Sequence, residues 1–136
     1  MLKRSDGFTL IELLVVISVV AILAAVALPR LDSARQEAHF ATVGQDLRNL
    51  GGAQERFHQG EGHYAQSLGA LGYQGSDGVE MDVIPQSSDQ GWAAVATHEA
   101  LDPGRGCGMY LGSADPPPLP NGEVHSGGAG VLACVR

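Results

Sequence analysis

Three hydrophobic patterns follow one another along the chain. Residues 8–28, FTLIELLVVISVVAILAAVAL, form an apolar run with one ionisable residue, Glu12, just inside its leading edge. At ~1.5 Å per residue, a helix of this length just covers a hydrocarbon core of roughly 30 Å. Its side chains are aliphatic all round, which suits a helix in lipid and equally one inside a helical bundle. From Pro29 to about Gln59 the apolar positions thin to a stripe: Leu31, Ala34, Ala38 and Ala41, then Phe40, Val43, Leu47, Leu50 and Phe57. Steps of three and four residues predict one face of a helix, with Arg30, Asp32, Arg35, Glu37, Asp46, Arg48 and Glu55 on the remainder. Pro29 removes a backbone donor and predicts a bend rather than a stop. Gly51-Gly52 weakens the later helix and marks a bend or a close approach to the rest of the fold, and Gly60-Glu61-Gly62 ends it.

Beyond Gly62 the period shortens. Strands are predicted at Val79–Ile84, 92–97, 108–111 and 130–135, separated by Pro85, the Asp102-Pro103-Gly104 turn and the proline run of residues 115–120. A sheet this small must bury one face, and the C-terminal half of the long helix is the available partner. The expected fold is α+β: a long N-terminal helix against a small antiparallel sheet. The expected division is residues 1–7 as a leader, 8–28 and 29–60 as the two halves of the helix, and 61–136 as a β-rich head.

Charge changes the picture by giving the chain a direction. Lys3 and Arg4 precede the apolar run, whereas from Glu61 onward nine carboxylates face only Arg105 and Arg136. Basic residues before a span keep that end cytoplasmic and send the body across the membrane. An acidic head repels nucleic-acid backbones, so direct nucleic-acid binding is not expected. The two cysteines, Cys107 and Cys134, both fall in the exported part, where a disulfide is chemically favoured. They lie in or beside the last two predicted strands, and a bridge closing that loop is worth roughly 3 kcal/mol in the chain-entropy account. Spacing alone leaves two unpaired thiols open.

Two cleavage readings compete at the N-terminus. Ala25-Val26-Ala27 supplies a small-x-small site, and cutting there would discard the run as a conventional signal peptide, leaving a secreted binding module. Gly7-Phe8-Thr9-Leu10-Ile11-Glu12, set directly before the run, instead resembles the cleavage and methylation motif of type IV pilins and type II secretion pseudopilins. Pro29 lies where members of that family carry a proline after the apolar stretch. The resemblance implies that a prepilin peptidase cuts after Gly7 and methylates the new amine of Phe8, and that Gly7 is a substrate position. It also implies storage in the cytoplasmic membrane as a single-pass protein with its head exported. Assembly with other pilins, on an inner-membrane platform, would then give an extracellular or periplasmic filament.

Within that reading Glu12 lies one turn from the Phe8 amine. A carboxylate at membrane depth is costly without a partner, so attraction to the Phe8 amine of a neighbouring subunit would set the register of packing. A local alternative folds Glu12 back on its own amine or on Thr9, complementing the helix N-terminus. The family also implies partial unwinding near Pro29, although residues 18–28 contain no glycine to assist it. Its pilin head carries a disulfide-closed loop near the C-terminus, the analogue of Cys107 and Cys134, which favours a pilin over a pseudopilin.

The remaining chemistry is sparse. His39, His58, His63, His98 and His125 lack zinc spacing and read as surface or cap residues. Asp77, Glu80 and Asp82 have no EF-hand spacing and read as a solvated acidic turn rather than a calcium site. Ser87-Ser88-Asp89 and His98-Glu99 offer no nucleophile constellation, so neither an enzyme nor a cofactor is expected. Trp92 and Tyr110 read as core residues of the sheet.

Overall fold

The computed structural model describes residues 7–85 and 90–136. The expected leader residues before Gly7, with Lys3 and Arg4, and the Ser87-Ser88-Asp89 stretch lie outside the described residues. The chain divides into two units, one ending at Arg35 and one running from Gln36 to Arg136.

One helix, α1 (Leu10–Glu61), carries both N-terminal patterns. It passes through Pro29 without a stop. Pro29 cannot donate to the carbonyl one turn back, and the Ser33 hydroxyl donates to the Pro29 carbonyl at 3.2 Å. The side chains of residues 10–22 stand exposed in the isolated chain, Leu10 at 81% and Ile22 at 68%. An 18-residue window here has mean hydropathy 2.9, long and apolar enough to cross a membrane. Ser18 satisfies its hydroxyl on the Leu14 carbonyl at 2.7 Å, so it leaves no free donor in the run. The helix closes at Gly62, whose φ of +77° places it in the left-handed region that glycine tolerates, with its N–H on the His58 carbonyl.

In the second unit, β1 (Val79–Ile84), β2 (Gly91–His98), β3 (Gly106–Gly112) and β4 (Ala133–Val135) form an antiparallel sheet in the order β1-β2-β3-β4. A one-turn helix, α2 (Leu68–Leu71), precedes them, with Ser67 as its N-cap. β1 has the expected bounds, β2 and β3 are each longer by residues at both ends, and β4 is shorter than the expected 130–135. At Gly130 the φ of +79° is incompatible with strand geometry, which delays β4 to Ala133.

The core joins Phe40, Val43, Leu47 and Leu50 of α1 to Met81, Trp92, Ala94, Ala96, Cys107 and Met109 of the sheet. Burial removes Phe40, Val43, Leu47 and Leu50 of the predicted stripe from water, covers Phe57 only in part, and leaves the stripe's first half out. Leu31, Ala34, Ala38 and Ala41 are exposed, because residues 40, 43, 47 and 50 turn to the sheet and the alanines lie on other sides of the helix. Gly51 permits a close approach: a Cβ there would stand 3.2 Å from Trp92 Cζ2 and 3.3 Å from Met109 Cε, and one at Gly44 only 2.8 Å from Leu132 Cδ2. Close packing, the second of the two readings of Gly51-Gly52, accounts for position 51.

Two polar side chains are buried in the same layer. Gln54 follows Leu50 on the core stripe, is fully buried, and clamps the returning chain: its amide donates to the Ala65 carbonyl and accepts from the Ala65 N–H, both at 2.9 Å. Asp46, read from the sequence as surface decoration, is 3% exposed. Its carboxylate accepts from the Ser76 N–H at 2.7 Å and the Ser76 hydroxyl at 3.0 Å, tying α1 to the segment entering β1. His125, expected at the surface, is also buried, with Nε2 3.0 Å from the Val131 carbonyl and Nδ1 3.1 Å from the Gly127 N–H that it accepts. Each correction has one cause: loop backbone groups withdrawn from water need partners, and these side chains supply them.

Candidate assembly site at the helix N-terminus

Residues 7–9 are non-helical and lead into α1 at Leu10. Thr9 caps it. The Glu12 N–H donates to Thr9 Oγ1 at 3.3 Å, while Glu12 Oε2 accepts the Thr9 N–H and the Thr9 hydroxyl, both at 2.9 Å. This reciprocal pairing of a threonine with a glutamate three residues on satisfies two of the helix's free N-terminal donors. It places the carboxylate beside the positive end of the helix. The local alternative for Glu12 is therefore the arrangement present in a single subunit, made through Thr9.

Gly7 and Phe8 stand clear of this cap. Phe8 is 86% exposed. A side chain at Gly7 would meet nothing within 4 Å, and Gly7 is not among the glycines with positive φ. Neither local crowding nor backbone conformation in this chain requires glycine at position 7. Phe8, Ile11, Glu12, Val15 and Val16 line a shallow, open and largely apolar depression, in which the Glu12 carboxylate is the one charged group. Arranged this way, the helix start offers an accessible peptide bond, an aromatic first side chain and a fixed carboxylate one turn in.

The other sequence-picked residues lie elsewhere. Pro29 sits in mid-helix and joins none of them. Cys107 and Cys134 are directly opposite each other on β3 and β4 and are joined by a disulfide, with Cα atoms 4.0 Å apart. The bridge fastens the three-residue β4, which has only that length of ladder to hold it. Asp77, Glu80 and Asp82 are all exposed. Sequence reasoning overlooked Gln54 and Asp46. Gln54 had a signal, since a polar residue falls on the buried register 43, 47, 50, 54; Asp46 had none, because its partner Ser76 lies 30 residues away in an irregular loop.

Similarity to known proteins falls on the same features. Residues 2–28 match the family described as the Prokaryotic N-terminal methylation motif. The type IV wide pilus major component PilA4 of Thermus thermophilus is 34% identical over 100 residues, which cover 71% of this chain and 76% of that protein.

Proposed function

Since this chain belongs to the type IV pilin family and is a pilin-like filament subunit, we propose that it serves in a type IV pilus after cleavage behind Gly7 and methylation of the Phe8 amine. One observation supports the processing step: among the described residues nothing lies within 4 Å of a Cβ at position 7, directly before the matched motif's Phe8. A residue without a side chain lets an extended backbone approach another protein's active carboxylates, which supports a prepilin peptidase as the source of the requirement. The protein's own role is structural, not enzymatic. Export of the head from the inner membrane is supported by the disulfide in that head, since such bonds persist in oxidising surroundings.

Assembly follows from the charge that cleavage creates. The new amine is a cation in an apolar setting, and Glu12 is the carboxylate of the same segment. Among the described residues the Glu12 carboxylate is engaged by Thr9 through two hydrogen bonds to one oxygen, Oε2, which leaves Oε1 to meet the Phe8 amine of a neighbouring subunit. An ion pair formed there recovers part of the cost of placing a carboxylate at membrane depth and selects one register between helices. A pilus is favoured over a secretion pseudopilus by the disulfide-bridged head and by similarity to a pilus major component.

Mass spectrometry of the exported protein tests the processing step. The expected mature N-terminus is a methylated Phe8. An N-terminus at Leu28 would instead establish a conventional signal peptide and remove the assembly helix from the mature protein.

A further inference from the structure

A filament that grows head to tail needs two different patches on opposite sides of each subunit, because a heterologous contact that does not close produces an open helix of copies. The second unit of this chain has two such patches. Along one flank of α1, on the β3–β4 side of the sheet, two depressions meet at Arg48 and together form a groove, one lined by Phe40, Gly44 and Leu132 and the other by Gly51, Met109 and Leu111. Its charged rim is mostly committed: Glu37 is paired with Arg136 at 2.8 Å, and Glu55 accepts the Tyr64 hydroxyl at 3.0 Å. Arg48 lines both depressions, is exposed, and makes no ion pair among the described residues.

The opposite edge has the complementary charge. The sheet order puts β1 at the far side from β4, and the Asp46–Ser76 tie puts the other flank of α1 on the β1 side. There Asp77, Glu80 and Asp82 are exposed, and they too make no ion pair among the described residues. Met81 between Glu80 and Asp82 turns into the core, so strand alternation sends both carboxylates to the outer face of an edge strand.

We propose that the groove around Arg48 receives the acidic β1 edge of a second copy, making a heterologous contact between neighbouring globular heads that repeats along the filament. The groove supplies partly apolar walls beside one cation that makes no ion pair among the described residues, and the edge supplies carboxylates. Opposite charges across such a contact fix which faces meet, and like charges brought together there are strongly disfavoured. This inference rests on the filament reading, and goes beyond it in naming the two surfaces of the head that meet.

Cysteine pairing in assembled filaments provides the test. The chain's two native cysteines are joined to each other, so introduced thiols are free to report. Filaments of the Arg48→Cys, Glu80→Cys double variant, oxidised and denatured without reductant, are expected to give a ladder of covalent multimers, and each single variant no ladder. Intact filaments from the double variant without a ladder would overturn the proposal. Should the cysteine variant not assemble, charge exchange decides: Arg48→Glu is expected to lower filament yield by about tenfold, and adding Glu80→Arg with Asp82→Arg to restore it. No loss from the first change, or no recovery from the second, would show that the acidic row only keeps an edge strand from pairing. Wild-type chains set the reference, because their failure to form filaments would count against the filament reading and not against this contact.

Discussion

At the scale of single residues, the buried polar groups carry the clearest consequences. Gln54 satisfies both backbone groups of Ala65, so Gln54→Leu fills the space but strands a buried N–H and a buried carbonyl. The expected loss is about 2 kcal/mol, read as a lower midpoint in chemical unfolding of the detergent-solubilised chain. Tyr64 and Tyr73 give the head its alkaline sensitivity. Burial pushes the Tyr64 phenol up, reinforced by its hydrogen bond to Glu55 and that carboxylate's charge. Burial also raises Tyr73, with the charge of Asp46 adding to it and a hydrogen bond involving Asn49 opposing it. Both folded-state values exceed the unfolded one, so their contribution to stability is complete below the ordinary tyrosine value of 10.0 and is lost as pH rises through the folded values. Thermal midpoints should hold up to that pH and fall beyond it. Tyr73→Phe should flatten part of the fall while losing the 3.1 Å bond that its hydroxyl donates to the Asp46 carbonyl.

At the scale of elements, what the sequence revealed depended on whether a segment's partner was near or far. The start of α1 was legible because Thr9, Glu12 and the apolar run are contiguous. Its C-terminal half was legible where the period of 3.6 coincides with the buried register from Phe40 to Leu50. The same period misled at Leu31, Ala34, Ala38 and Ala41, since at 3.6 residues per turn they lie on a different side of the helix from Phe40, Val43, Leu47 and Leu50 and do not belong to one stripe with them. The short β4 was placed too early because Gly130 and Val131 read as strand, while the left-handed backbone at Gly130 and the turn bond from the Val131 N–H to the Gly128 carbonyl hold them in a loop. His125 was missed for the reason Asp46 was: irregular loops carry no periodicity to reveal which side chains satisfy their backbone.

Two variants test the packing of these elements. Gly51→Val drives a branched side chain into Trp92 and Met109, and overpacking of this kind costs about 1–3 kcal/mol, more than the helix gains by losing glycine. The chain's single tryptophan reports it directly, as a shift in Trp92 emission together with a lower thermal midpoint. Removing the disulfide with Cys107→Ser and Cys134→Ser should cost about 3 kcal/mol in the chain-entropy account and release β4 first. Hydrogen exchange should then accelerate at residues 133–135 before it does so in β1 or β2.

At the scale of the whole molecule, α1 begins as an exposed aliphatic helix over residues 10–22 and from Phe40 onward is part of the head's core. The exposed aliphatic surface of residues 10–22 is the kind of patch that marks a membrane or subunit contact, which fits a membrane-anchored pilin that assembles with other pilins. Glu12 joins the two situations. In one subunit it caps its own helix, and the contact proposed for the filament would bring its charge to a neighbour's amine. Those two duties separate on substitution, since glutamine retains the capping geometry at this position but has no charge. Filament yield of Glu12→Gln, measured beside its membrane level and the mass of its mature N-terminus, is therefore the most direct test. Normal insertion and cleavage with filaments lost, as fully as in Glu12→Val, is the predicted result; filaments at wild-type yield would show that Glu12 is a helix cap and that subunit register is set elsewhere.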